Sequence, residues 1–228
     1  MINSLSVIVP VYNELHNLKE YLFELHTLLK KEIDKFEIII VDSGSNDGTS
    51  EFLKEVKKKI NIKILYQKKK EGWGSACKYA LKYVEMKYCL FFPADNQYNM
   101  NDIINICKEN QGTIVTYRKD AYLDMGKFIR SAIYKMLCRT LFRISFIDIN
   151  SIKILEMDNF LNKEEFNKLS DDWLFDLDLL LLIKKNKIKY IQKSIKITTR
   201  KHGVSNITFS VSIKMFFNLF ALYFANRF

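Results

Sequence analysis

Phe36-Glu-Ile-Ile-Ile-Val41 runs without a break into Asp42-Ser-Gly-Ser-Asn-Asp-Gly-Thr49, an apolar β-branched stretch that ends in a polar, glycine-bearing turn. A short apolar run bounded by turn residues suits a parallel strand covered on both faces. Upstream, Leu15, Leu18, Leu22, Leu25 and Leu29 recur at three- and four-residue steps and form the apolar stripe of one helix. Before that helix, Leu5-Ser-Val-Ile-Val-Pro10 reads as a first strand. We expect it to stop at Pro10, because proline has no N–H for a ladder. The alternation continues downstream with helices over about 49–59, 74–84 and 101–109 and strands at 62–66, up to Pro93, and at 113–117. Strands alternating with helices of this length imply a mostly parallel, doubly wound α/β sheet flanked by helices.

Beyond Arg118 the rhythm changes. A helix is predicted over 126–142, bearing Arg130, Lys135 and Arg139 with Arg143 just beyond, whereas 147–155 has no clear period. Asp171-Asp-Trp-Leu-Phe-Asp-Leu-Asp-Leu-Leu-Leu-Leu182 is predicted to open a helix with acids at its positive end. A strand at 188–198 leads to a basic loop, Arg200 to Asn206, and the most apolar segment, 209–225, closes the chain. One domain over 1–207 and an apolar C-terminal amphipathic helix over 208–228 are expected.

Composition narrows the chemistry. The 228 residues carry a formal charge of +10 with 48% hydrophobic residues, only 7 Gly and 2 Pro, which suits a globular chain with anionic partners. Nucleic acid is not favoured, since no recognition motif accompanies the charge. Four widely spaced cysteines, with no Cys-x-x-Cys, read as reduced thiols, and no secretory signal precedes the first strand. Walker loops, Gly-x-Gly-x-x-Gly and Ser-His-Asp arrangements are absent, which removes support for kinase, dinucleotide and serine hydrolase readings.

In open α/β sheets ligands bind beyond the carboxyl ends of the strands. Tyr88-Cys-Leu-Phe-Phe-Pro-Ala-Asp-Asn-Gln97 places Asp95 and Gln97 at such an end, and Asp42 closes the second strand. Combined with Val9-Pro-Val-Tyr-Asn-Glu14, these motifs resemble the nucleotide-sugar-binding half of the family-2 inverting glycosyltransferases, which have the GT-A (Rossmann-like) fold. The likeness extends through Gly72-Trp-Gly-Ser-Ala76, Thr116-Tyr-Arg118, Asp148-Ile-Asn-Ser-Ile-Lys153, Asp172 to Asp178, and Arg200-Lys-His-Gly-Val-Ser205. These later segments are similar to the subgroup that makes dolichyl- and polyprenyl-phosphate sugars.

The resemblance implies roles. Pro10, Tyr12, Glu14, Asp42, Ser43, Gly74 and Ala94 would bind the donor nucleotide, with an aromatic wall for the base and carboxylates for ribose hydroxyls and the base imide. Asp95 and Gln97 would hold a divalent cation, Mg²⁺ or Mn²⁺, with the donor diphosphate. Arg118, Arg130 and Arg200 would take the acceptor phosphate, since a planar guanidinium suits bidentate contact. Asp95, Arg118 and Asp172 would serve catalysis, Asp172 as base or acceptor orienter. The implied partners are a nucleotide-sugar donor, a polyprenyl-phosphate or glycan acceptor, and an anionic membrane reached from the cytoplasmic side.

One departure stands out. The family usually carries Asp-x-Asp where this chain has Pro93-Ala-Asp95, so one carboxylate is replaced by proline, and His202 is a substitute ligand to consider. Two other readings share the same residues: a transferase that extends a cell-surface glycan, and a member that binds nucleotide sugar without turnover. The aromatic segment 209–225 carries Lys214 and lies at the short limit for a membrane span, which favours an in-plane helix, then a packed or dimer-forming helix, and a true span least.

Overall fold

The computed structural model describes residues 1–119, 125–160, 163–198 and 209–225. In chain order the elements are β1 (Ser4–Val11), α1 (Leu15–Glu32), β2 (Lys35–Asp42), α2 (Thr49–Lys57), β3 (Lys63–Tyr66), α3 (Trp73–Leu81), β4 (Tyr88–Phe91) and α4 (Met100–Glu109). There follow β5 (Thr113–Lys119), α5 (Met125–Phe142), β6 (Lys153–Glu156), α6 (Phe175–Lys185), β7 (Tyr190–Lys196) and α7 (Phe209–Phe224), with short 3-10 turns at Met157–Asn159 and Lys163–Lys168. The strands form one seven-stranded sheet ordered β3-β2-β1-β4-β6-β5-β7. Every neighbouring pair is parallel except those of β6, which runs antiparallel to β4 and to β5.

Period-two alternation splits the core. Leu5, Val7 and Val9 of β1, with Ile38 and Ile40 of β2, face the buried stripe Leu18, Leu22, Leu25 and Leu29 of α1. Ile8, Ile39 and Val41 face the other way, onto Ala76, Cys77 and Ala80 of α3 and onto the leucines of α6. Both faces of the central strands are thus covered, and near-continuous apolar runs are what such strands require. All four cysteines are free and buried. Burial raises their thiol pKa values, those of Cys107 and Cys138 to about 12, which suits inert core thiols.

Two expectations are corrected, and one unassigned region gains a strand. Strand β1 does not stop at Pro10 but continues through Val11, with Pro10 opposite Val41. Ile8 accepts from the Phe92 N–H of the β4 side, whereas Val11 accepts from Ser43 on the β2 side. Residue 10 therefore turns its backbone toward β4, and the ladder between β1 and β4 ends at Ile8 and Phe91, just before the position where proline has no N–H to give. The region 147–155 contains the start of β6, whose partners lie 38 to 68 residues away in sequence and are invisible to local patterning. The helix expected from Asp171 starts at Phe175, leaving Asp171 and Asp172 in the loop before it.

Helix α7 packs on the body through Met215, Leu219 and Leu222, all buried, and its Tyr223 ring meets Phe142 of α5 edge to face. No described helix is long and apolar enough to cross a membrane.

Candidate functional site

The loops after β1, β2 and β4 meet at one edge because those strands are neighbours in the sheet. The first two are tied together by side chains. Asn13, at a positive φ of 57°, donates its amide to Asn46 Oδ1 at 2.9 Å, and Asn46 N–H donates to Asn13 Oδ1 at 2.9 Å. Asp47 accepts from the Leu15 N–H at 3.1 Å, so the loop after β2 caps α1. Burial works against the Asp47 carboxylate, but hydrogen bonds from Thr49 and Leu15 hold its pKa below the ordinary value. Tyr12 stands beside this tie, with the Lys70 ammonium 4.3 Å from its ring centroid. Glu14 accepts from Asn17 at 2.5 Å.

Asp42 and Ser43 are directed inward. Asp42 is fully buried, and its carboxylate accepts from the Ser45 N–H at 3.0 Å and from the Ser50 hydroxyl. Ser43 donates to Gln67 at 2.7 Å, and Gln67 passes the chain of bonds to Ser75 and Glu71. Gly74 is buried in α3, and a Cβ there would stand 2.1 Å from Ser170 O and 2.8 Å from Phe175 Cβ. That glycine is required by the close approach of α3 to the 170–175 segment. Gly72, at φ +112°, is held in the same way against Asp171 O.

After β4, buried Ala94 leads to Asp95 and Gln97, both half-buried. Gln97 is anchored across the sheet: its side-chain amide donates to Thr198 O at 3.3 Å and its carbonyl accepts from the Thr198 N–H at 2.8 Å. Beneath the turn, the Tyr21 hydroxyl of α1 is buried, and burial followed by the charges of Asp95 and Glu14 raises its pKa well above the usual phenol value. One phenol thus feels both the β1 loop and the β4 turn. Tyr98 is buried on the far side of Asp95, within the fields of Arg118 and Asp148. Among the described residues no group of three or more His, Cys, Asp or Glu side chains converges. A single carboxylate with a neighbouring amide oxygen is a lean donor set, and it fits Mg²⁺-type coordination, in which one or two carboxylates are completed by substrate phosphates.

The later half supplies charge. Arg118, at the end of β5, donates Nε–H to Asp148 Oδ2 at 2.7 Å and Nη2–H to Oδ1 at 2.9 Å, and its backbone N–H also reaches Oδ2. Burial pushes the Asp148 carboxyl up, but the Arg118 bonds and charge outweigh it and hold the pKa below the ordinary value. Lys153, 1% exposed, donates to Ile149 O, Ser151 O and, at 2.6 Å, Asp176. Arg130 is exposed on α5, while Arg200 and His202 lie outside the described residues. Asp172 accepts from the Leu174 N–H at 2.9 Å and from Asn218 of α7 at 2.7 Å. It also lines a cavity of about 970 Å³ between α6 and α7. Trp173 beside it lies parallel to Trp73, with centroids 6.3 Å apart.

A family profile, Glycosyl transferase family 2, matches residues 6–163. The chain belongs to that family. A dolichyl-phosphate beta-glucosyltransferase of Dictyostelium discoideum is 27% identical, over 92% of this chain and 71% of the relative. The Saccharomyces cerevisiae protein of the same name is 26% identical over 81% of this chain, which spans 64% of its length. Among solved structures, glucosyl-3-phosphoglycerate synthase from Mycobacterium tuberculosis, crystallised with Mn²⁺, UDP and phosphoglyceric acid, superposes with a TM-score of 0.70 at 12% identity, covering 97% of this chain and 78% of that one. At that identity the likeness establishes the GT-A fold. The polyprenyl-phosphate resemblance of the later segments agrees with the names of the first two relatives.

Several residues of this family 2 site escape sequence reading. Gln67, Lys70 and Glu71 follow β3 in a Lys-rich stretch to which the sequence assigns no role, yet Gln67 and Glu71, with Ser75 of the Gly72-Trp-Gly-Ser-Ala76 motif, form the wall behind Ser43. Tyr21 is one of many aromatic residues at helical spacing, and its place under Asp95 depends on the sheet order. Asn218, an amide in an apolar helix, offers a signal only through its type.

Proposed function

We propose that this family 2 chain transfers a sugar from a nucleotide-sugar donor, with inversion, to a polyprenyl phosphate at the cytoplasmic face of a membrane. The observation that carries the reading is that the loop bearing Tyr12 and Glu14 and the turn bearing Asp95 follow two paired strands, β1 and β4, at the same edge, with the charges of Glu14 and Asp95 both acting on the buried Tyr21 phenol. Tyr12 serves as the wall for the base and Glu14 for ribose hydroxyls. Asp42 shapes the loop through Ser45 and Ser50, and a carboxylate oxygen has lone pairs to spare for a base imide. Asp95 and Gln97 would hold the divalent cation, with the donor diphosphate completing its ligands. When bound, that ion stabilises the departing nucleoside diphosphate as a Lewis acid.

An acceptor phosphate oxygen is already an anionic nucleophile at neutral pH, so strong base assistance is unnecessary. It attacks the anomeric carbon on the face opposite the leaving group, the bond to the diphosphate breaks, and the configuration inverts. Asp148 fixes the plane of the Arg118 guanidinium, which presents Arg118 for phosphate recognition; Arg130 and Arg200 complete the acceptor side. Asp172 orients the acceptor. Exposed Phe128, Ile129, Ile133 and Met136 of α5 and Phe217 and Phe224 of α7, with basic Arg130, Arg139 and Lys214 also exposed, suit an interfacial seat on anionic lipid.

The test is release of nucleoside diphosphate from a panel of sugar donors, with Mg²⁺, Mn²⁺ or chelator, and with or without a short polyprenyl phosphate. Metal-dependent release stimulated by the lipid phosphate is expected. Release stimulated only by saccharides would replace the lipid acceptor with a glycan, and no turnover of any donor would leave a binding protein.

A further inference from the structure

We infer that Asn218 of α7 is a positioning residue for Asp172, so that seating of the C-terminal helix sets the geometry of the acceptor-side carboxylate. The inference rests on the acceptor role proposed for Asp172. Met215, Leu219 and Leu222 are the buried stripe of α7, at steps of four and three residues, and Asn218 falls inside that stripe. A polar side chain in a packing stripe costs free energy unless it is hydrogen-bonded. Its amide N–H donates to Asp172 Oδ2 at 2.7 Å, across 46 residues of sequence.

The other carboxylate oxygen of Asp172 accepts from the Leu174 N–H at 2.9 Å. The carboxylate is therefore gripped at both oxygens, once by its own loop and once by α7. That loop is itself fixed: Gly72 and Gly74 admit the backbone of 170–172, and Ser75 N–H bonds Asp171 O at 2.9 Å. The hydrogen bond to α7 is thus the contact on Asp172 that depends on a remote element. Tyr134 of α5 places its buried hydroxyl within the fields of Asp176 and Asp172, so α5, against which α7 packs, borders the same carboxylate. Side-chain bonds to a charged acceptor are the stronger class, and their removal is felt at the group left behind.

The experiment uses the full chain. Asn218→Leu keeps the stripe apolar and the helix seated while deleting the donor, and Asn218→His restores an N–H near the amide position. With a short polyprenyl phosphate as acceptor, Asn218→Leu should lower transfer about tenfold, the size expected for a lost bond to a charged group. Hydrolysis of the donor by water and the donor KM should stay within about twofold, because both depend on the donor half. Asn218→His should recover most of the transfer, and Asn218→Leu should add nothing to Asp172→Ala, as two members of one contact behave. Amide hydrogen exchange should quicken at 172–175 in Asn218→Leu, a readout independent of turnover.

Wild-type transfer and unchanged exchange in Asn218→Leu would overturn the coupling while leaving the proposed function standing. Equal loss of transfer and hydrolysis would also overturn it, since that marks a general structural defect. Full transfer by Asp172→Ala would remove the acceptor role of Asp172 itself, and the inference with it.

Discussion

The two halves of the molecule are built by different means. Among β1 to β4 every pairing is parallel, in the order β3-β2-β1-β4, and the loops at their ends are stitched by neutral or singly charged contacts such as Asn13 with Asn46 and Asp47 with Leu15. From β5 onward, the order is scrambled by an antiparallel insertion, and ionised pairs hold the site: Arg118 with Asp148 and Lys153 with Asp176. The first half shapes a slot with backbone turns. The second presents charge, and each charge must be buried against an opposite one before it can be aimed, because an unpaired buried ion is costly.

The largest expected effect separates the chemistry from both scaffolds. Asp95→Ala should lower metal-dependent release of nucleoside diphosphate by about 100- to 1000-fold, the scale of losing one preorganised group at a developing charge, with little change in thermal stability. Retained turnover would place the cation elsewhere. Next comes Gly74→Ala, where the added methyl meets backbone at 2.1 Å. Overpacking of this kind costs about 3 kcal/mol, or a fall in Tm of about 10 °C for a chain of this size. An unchanged melting curve would show that α3 and the 170–175 segment are not in the contact described.

Asp148→Ala should cost a similar amount, about 3 kcal/mol, because Arg118 keeps its charge without its partner, and acceptor KM should rise while donor KM holds. The pH dependence has a definite sign. The folded pKa of Asp148 is lowered, so its contribution is fully present above the unfolded value of about 3.9 and is lost as pH falls through the folded value. The difference in Tm between the wild type and Asp148→Asn should therefore be constant near neutrality and shrink in acid below about pH 4. A gap that persisted into strong acid would mean the pair contributes packing rather than charge. The smallest effect belongs to the first half: Asn13→Ala removes an exposed reciprocal pair and should cost about 1 kcal/mol, with a modest rise in donor KM.

This contrast also explains what was legible in the sequence. The first half follows from period alone, because β1, α1 and β2 are adjacent both in the chain and in space, and leucines at 15, 18, 22, 25 and 29 report the stripe directly. Its three loops follow parallel strands, and that alone puts them at one edge. The second half obeys partners that are remote. Lys153 begins a strand four residues long whose register is set by Val115 of β5, and no local window contains that neighbour. Asp172 reads as a helix-opening acid, yet the helix begins at Phe175 because Asp172 spends one oxygen on the Leu174 N–H and the other on Asn218. Gln67 and Glu71 were hidden for a different reason: polar side chains in a lysine-rich stretch carry no periodic mark, and only their bonds to Ser43 and Ser75 distinguish them from solvated surface.

The chain's two prolines are Pro10 and Pro93; Pro10 stands on β1 and Pro93 two residues past the end of β4, the two strands whose ladder ends at Ile8 and Phe91. Continued pairing would zip that crevice shut one bond at a time. Proline at position 10 deletes the next amide that could close it, so the mouth is kept open by a missing hydrogen atom rather than by a wedge of side chain. Replacing Pro10 with an ordinary residue would hand the sheet a donor at the one place where β1 and β4 part.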